Sequence, residues 1–383
     1  MMRIVYCIDS INYLGGAQKV TVTKANALAD LPGNSVWVIV ADNSGKRYLE
    51  LSPKVHFVDL GVNYYKDDWK STLHVIKGLI FNRLKHRKLL SRVLKRIRPD
   101  IVISVGTSEK FFIVHIKGDW AVIREIHSVG KYRSLHASSC FQRMLAAIGD
   151  FVDYCYTIKK YDKVVVLTKY DLEENWSAYD NVVAISNPVT GGAENTSSLK
   201  NKLVVTVGRL VPIKGFSSLI RSFKIVLSRF PDWYLDIWGI GPSMFVLEDE
   251  IDKNGLSDNI RLRGSSCSIQ QELLSDSIFV CTSMFEGFGL TILEAMSCGL
   301  PVVSYDCDYG PREIIDDGQD GFLVPVGDEQ KLAEKICLLI EDQTLRSRMG
   351  IAAHEKSKRY STERIIGQWM ELFEELLREK HVS

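Results

Sequence analysis

Residues 286–296 read Glu286-Gly287-Phe288-Gly289-Leu290-Thr291-Ile292-Leu293-Glu294-Ala295-Met296, shortly after an apolar run at 277–281 that has the continuous hydrophobicity of a buried strand. Two glycines lead into helix-forming residues, and the helix is expected to stop at Cys298-Gly299-Leu300-Pro301. This order of strand, glycine loop and helix places the N–H groups of Gly289, Leu290 and Thr291 at a helix N-terminus, a position that favours an anion such as phosphate. Glu286 stands just ahead of that helix and Glu294 about one and a half turns inside it. One carboxylate then faces the reacting end of a ligand, and the other a group further along it.

The same alternation runs outward in both directions. Apolar runs at 3–8, 36–41, 55–60, 101–105, 120–126, 163–167 and 182–185 have the composition of parallel strands, with helical patterns between them, including one at 141–160. A small, polar stretch at 190–198 has the character of a linker, and runs at 203–207, 233–238, 260–262 and 301–305 then repeat the pattern. A chain of 383 residues suits two such domains better than one core. Gly15-Gly16 follows the first strand at the end where ligands bind in doubly wound sheets, without the spacing of a GxGxxG dinucleotide fingerprint. Arg209 and Lys214, in the loop after 203–207, supply a planar fork and a mobile ammonium, the two cation types that hold a diphosphate.

The two glutamates, followed by A-M-x-x-G-x-P-V-V at 295–303, continue into Gly310-Pro311-Arg312-Glu313-Ile314-Ile315 and Asp320-Gly321-Phe322-Leu323-Val324. This block resembles the donor-site motif of retaining family-4 glycosyltransferases (glycosyl transferases group 1), which have the GT-B fold. The resemblance implies an α/β protein in which two Rossmann-like, doubly wound domains face a central cleft, with a C-terminal helix crossing back to the first domain. It implies domains at 1–188 (acceptor side) and 202–358 (nucleotide-sugar donor), and a crossover helix at 359–383 expected to pack on the N-terminal domain. The activity implied is transfer of a sugar, with retention, from a nucleotide-diphosphate donor (commonly a UDP-sugar) to a hydroxyl of a lipid-linked or polysaccharide-precursor glycan.

Within that resemblance Glu286 grips sugar hydroxyls near the reacting face, and Glu294 accepts from ribose hydroxyls. Arg209, Lys214 and the amides at 289–291 hold the diphosphate. Gly15 and Gly16 abut donor phosphates and acceptor, and His127, just past the run at 120–126, contacts the sugar, with Glu125 or Ser128 as alternatives. Two other classes share the architecture: a nucleotide-sugar epimerase, and a non-catalytic nucleotide-sugar binding protein.

Composition is that of a globular protein, 46% hydrophobic and 25% charged, and a net charge of +1 argues against a dedicated nucleic-acid binder. Eight cysteines without a CxxC pair read as reduced core residues. The N-terminus turns polar too soon for a signal peptide, and no run reaches the roughly 20 apolar residues of a membrane span, so a cytoplasmic protein is expected. The region 66–98 is helical and strongly basic, which suits an anionic membrane surface on the inner face. Asp306-Cys307-Asp308 imitates a D-x-D metal motif outside its usual setting, and neither an essential metal nor another cofactor is expected. The apolar stripe Ile365, Ile366, Trp369, Leu372, Phe373, Leu376 and Leu377 recurs at helical spacing and reads as the core face of the closing helix.

Overall fold

The computed structural model describes residues 1–13, 15–44, 49–64, 72–127, 149, 151–189, 195–266 and 268–382, without the side chains of 72–80 and 381–382. Residues 141–148 and 150 of the helix expected at 141–160, Ser128, the start of the linker and the first residues of the basic region lie outside that description. The chain divides into two units, Met1–Pro188 with Thr362–Ser383, and Val189–Ser361.

The first unit carries a seven-stranded parallel sheet. Its strands are β1 (Met2–Ile8), β2 (Asn34–Val40), β3 (Val55–Asp59), β4 (Ile101–Ser104), β5 (Ala121–Glu125), β6 (Lys163–Val166) and β7 (Val182–Ala184). The order β3-β2-β1-β4-β5-β6-β7 reverses direction between β1 and β4. Alternation along β1 feeds two cores: Ile4, Tyr6 and Ile8 pack on one face, Val5 and Cys7 on the other. Both faces are covered, which is why the strand reads as one unbroken apolar run.

On the first face lie the helix Gly16–Asp30 and the closing helix Thr362–Val382, whose Ile365, Ile366, Trp369, Leu372, Phe373 and Leu376 are all buried there. Each such side chain contributes roughly 1.5–3 kcal/mol on burial. The exposed Lys163–Glu375 pair on the same helix is worth about 0–1 kcal/mol. The stripe, not the polar contacts, holds the closing helix to this sheet.

The second unit carries a six-stranded parallel sheet in the order β10-β9-β8-β11-β12-β13. Here β8 is Leu203–Val207, β9 Tyr234–Trp238, β10 Ile260–Gly264, β11 Ile278–Cys281, β12 Val302–Tyr305 and β13 Gly321–Val324. Its reversal falls between β8 and β11. Ligands of open parallel sheets bind outside the carboxyl ends of strands at such a reversal, so the loops after β8 and β11 are where a site belongs. Of the six cysteines described, none is in a disulfide and all but Cys155 are buried. Among the described residues, no helix is long and apolar enough to cross a membrane.

Candidate active site

The loops after β8 and β11 are locked together through glycines. After β8 the chain passes exposed Arg209, makes a tight turn at Pro212–Lys214, and enters the helix Phe216–Arg229 through Gly215 at φ +65. A Cβ on Gly215 would lie 2.1 Å from the backbone oxygen of Thr282, in the loop after β11. Two bonds fasten the contact: Thr282 Oγ1 donates to the Lys214 carbonyl at 3.0 Å, and the Met284 amide donates to the Ile213 carbonyl at 2.9 Å.

This lock sets Lys214 against Glu286. Nζ of Lys214 lies 2.8 Å from both carboxylate oxygens, in a half-buried pair. Burial works against the ammonium, but the Glu286 charge and hydrogen bond, together with smaller contributions from Cys281 and Cys307, outweigh it, so the Lys214 pKa is raised. Arg209, by contrast, makes no ion pair among the described residues. Gly289 is left-handed at φ +93 and begins the helix Leu290–Ser297, whose first amides, on Leu290 and Thr291, have no carbonyl one turn back to accept them. Glu294 sits inside this helix, 3% exposed. Gly310 braces the loop from behind: its amide donates to the Glu286 carbonyl at 3.2 Å, and a Cβ there would fall 2.4 Å from the Phe288 oxygen. The second unit thus gathers a cation–carboxylate pair and a helix N-terminus on neighbouring strand ends, with an unpaired guanidinium in the loop after β8.

In the first unit Gly15 caps the helix Gly16–Asp30 in extended backbone, with no side-chain cap for its amides. His127 lies two residues past β5, its Nε2 3.1 Å from Glu125 Oε1. Glu125 in turn pairs with Lys24, and both side chains are 1% exposed. At the reversal between β1 and β4, Asp9 accepts from the amides of Thr107 at 2.9 Å and Ser108 at 3.1 Å. Beside it Glu109, 1% exposed, accepts from Ser104 Oγ at 2.8 Å and the Gly106 amide at 2.9 Å.

The Glu109 carboxyl is pushed up to about 7, first by burial and then by the Asp9 charge. Its folded value exceeds its ordinary 4.5, so the folded state holds the extra proton. That contribution is complete below about pH 4.5 and is lost as pH rises to about 7. Glu109→Gln, which cannot ionise, is therefore expected to raise Tm over the parent at pH 8, with the gap closing towards pH 5. A gap of constant size across that range would refute the assignment.

Residues 193–356 match the family described as Glycosyl transferases group 1. This stretch is similar to the group 1 glycosyltransferases. Over 221 residues, 56% of this chain, it is 41% identical to an exopolysaccharide phosphotransferase of Streptomyces coelicolor, of which the match spans only 24%. A second relative, described as an uncharacterised glycosyltransferase of Haemophilus influenzae, is 25% identical over 378 residues, 96% of this chain and 99% of that one. Among solved structures, a complex of S. aureus TarM superimposes with a TM-score of 0.78 at 18% identity, covering 97% of this chain and 100% of that one. At that identity the likeness is one of fold, and the fold is GT-B.

Within the matched stretch, Asp306 of the D-x-D triplet accepts from Arg312 Nε at 2.6 Å and Cys307 is buried. Among the described residues no cluster of three or more His, Cys, Asp or Glu side chains is arranged to hold a metal ion. Outside that stretch, Lys24 and Glu109 are among the buried charged groups that motif reading passes over. Lys24 had a legible signal, because it lies midway in the row Val20, Lys24, Leu28, whose outer members are core residues. A lysine on the apolar face of a helix is a buried charge in search of a partner. Glu109, in an irregular loop, gave none.

Proposed function

We propose that the protein is a retaining, family-4 type glycosyltransferase that moves a hexosyl or N-acetylhexosaminyl group from a UDP-sugar to a hydroxyl of a polysaccharide-precursor or lipid-linked glycan. The observation that carries this is the bidentate Lys214–Glu286 pair beside the Leu290 helix N-terminus, inside the matched stretch. A departing diphosphate needs positive potential where its charge builds, and Arg209, Lys214 and the amides at 289–291 supply it. Glu286 takes sugar hydroxyls and Glu294 the ribose. UDP as the nucleotide is supported by its presence in the TarM complex, and a polysaccharide setting by the Streptomyces relative's name. Neither the epimerase nor the non-catalytic binder is favoured by the family match or by the relatives.

Retention follows from attack on the same face. The C1–oxygen bond breaks with its electron pair going to the β-phosphate, the acceptor oxygen bonds C1, and the acceptor proton passes to a phosphate oxygen. No covalent glycosyl–Glu286 species forms. The side chains and amides act without a metal cofactor.

The test is a thermal-shift panel of UDP-, GDP- and ADP-sugars, since a ligand at 100 times its Kd stabilises by roughly 2.7 kcal/mol. It is followed by NMR of the product anomer with excess EDTA present. Retained configuration and EDTA-insensitive turnover are expected. Shifts with no nucleotide sugar, or a trapped Glu286 adduct, would remove the reading.

The helix Thr72–Ile97 supports a peripheral position on the inner membrane face. It contains no aspartate or glutamate, and Phe81 and Leu84 stand 68% and 62% exposed among Arg83, Lys85, Arg87 and Lys88. Basic side chains near anionic lipid contribute about 1 kcal/mol each, and the two apolar side chains can enter the interface. Pelleting with vesicles containing phosphatidylglycerol is expected, falling about tenfold or more in the variant Arg83→Glu, Lys85→Glu, Lys88→Glu and with added salt. Equal pelleting with neutral vesicles would count against it.

A further inference from the structure

Buried under the closing helix is a charged group whose presence stability does not explain. Lys24 and Glu125 form an ion pair at 1% exposure each, and Lys24 Nζ lies 4.4 Å from the ring centroid of Trp369 and 5.8 Å from that of Tyr6. Taking both charges out of water costs several kcal/mol per ion, and two apolar side chains of the same size hold such a place as well or better. The pair's position is informative. Glu125 ends β5, and two residues later His127 brings Nε2 within 3.1 Å of Glu125 Oε1, off the line of a well-formed hydrogen bond. Glu125 Oε2 and Tyr6 OH, both buried, have no hydrogen-bond partner among the described residues.

We infer that Glu125 is a positioning residue: held ionised by Lys24 under Trp369, it fixes the proton of His127 on Nε2 and leaves Nδ1 as the nitrogen offered to the donor sugar. This rests on the proposed role of His127 in transfer. The chemistry is that of an acceptor-only group. An ionised carboxylate has lone pairs and no proton, so the ring nitrogen facing it must be the one that carries hydrogen. Burial acts to raise the Glu125 carboxyl, but Lys24 and His127 outweigh it and bring it down to about 2, so the carboxylate stays charged at any working pH. The ring keeps 12% exposure, enough to reach a ligand while being held from one side. Oriented in this way, the imidazole accepts a hydrogen bond from a sugar hydroxyl through Nδ1. The other tautomer would present a donor there and lose that bond. Trp369 joins the closing helix to the same chain of contacts, so the docked helix sets the tautomer through Lys24.

The variant that tests this is Lys24→Met together with Glu125→Gln. Either change alone would strand a buried charge, whereas the pair is neutral and similar in volume. The readouts are long-range 1H–15N spectra of the His127 ring, UDP binding, and release of UDP from UDP-glucose or UDP-N-acetylglucosamine. The parent ring is expected in the Nε2–H form and the variant ring as a mixture. UDP affinity should be unchanged, and turnover should fall about 10–100-fold, as expected for loss of one aligned polar contact. Should the pair fold poorly, Glu125→Asp, which keeps the charge but retracts the carboxylate by one methylene, is read in the same way. Unchanged ring spectra, or parental turnover in the variant while His127→Ala is impaired, would overturn the inference alone. Parental turnover in His127→Ala would instead remove the role of His127 itself, and the inference with it.

Discussion

Glu286→Gln is expected to bind UDP more tightly than the parent and to lose transfer. The opposite signs come from one contact. Without a ligand, both oxygens of Glu286 occupy Lys214 Nζ at 2.8 Å, so a diphosphate that uses this ammonium must compete with the carboxylate. Hydrogen bonds to charged groups are worth about 1.5–3 kcal/mol. Neutralising Glu286 returns part of that to the ligand, about a 3–10-fold gain in UDP affinity. The same change removes the carboxylate from the sugar hydroxyls at the reacting centre, where loss of one placed group typically lowers turnover by roughly 10²–10³.

Lys214→Met should move binding the other way. UDP affinity is expected to fall about 10–100-fold, and Glu286 is left half-buried without its counter-ion. Calorimetry with UDP on the two variants, beside initial rates with the donor chosen by the thermal panel, separates these effects. If Glu286→Gln weakens UDP binding and Lys214→Met strengthens it, the diphosphate does not sit on this ammonium.

Much of the architecture was legible because the sheets are buried on both faces. The run at 203–207 is the strand Leu203–Val207 to the residue, and the run at 120–126 shortens only to Ala121–Glu125. The ends differ because apolar residues continue into the core after ladder pairing stops: Trp120 remains 5% exposed outside β5. The short strand Gly321–Val324 was legible as a motif and not as a strand, since four residues behind an Asp-Gly turn carry too little periodicity.

Pairing at the site was not legible at all. By motif alone Lys214 belongs to a diphosphate and Glu286 to a sugar, and 72 positions separate them. What joins them is the adjacency of β8 and β11 across the reversal in strand order, a property of the folded sheet. The buried Lys24–Glu125 pair, 101 positions apart, depends in the same way on a helix packing over β5.

The second large effect is expected at Gly215, and Gly255 supplies its control. The two glycines have nearly the same backbone, φ +65 and φ +66, so an added Cβ meets the same local strain at each, about 1–2 kcal/mol. Their surroundings differ. A Cβ on Gly255 meets nothing within 4 Å, whereas on Gly215 it would lie 2.1 Å from the Thr282 backbone oxygen. That oxygen is main chain at the end of β11 and cannot rotate aside, so the loop carrying Glu286 or the turn carrying Lys214 must shift. Gly215→Ala should therefore cost about 3 kcal/mol or more, near the upper end for single changes. For a unit of this size that lowers Tm by roughly 6–12 °C, while Gly255→Ala costs about a third to two thirds as much. Function separates them further. Displacing the turn breaks the Thr282–Lys214 and Met284–Ile213 bonds that align the ion pair, so UDP affinity should fall in Gly215→Ala and stay at the parent value in Gly255→Ala. Equal losses of Tm in the two variants would mean that the strands tolerate the intrusion and that the loops are not locked at this glycine.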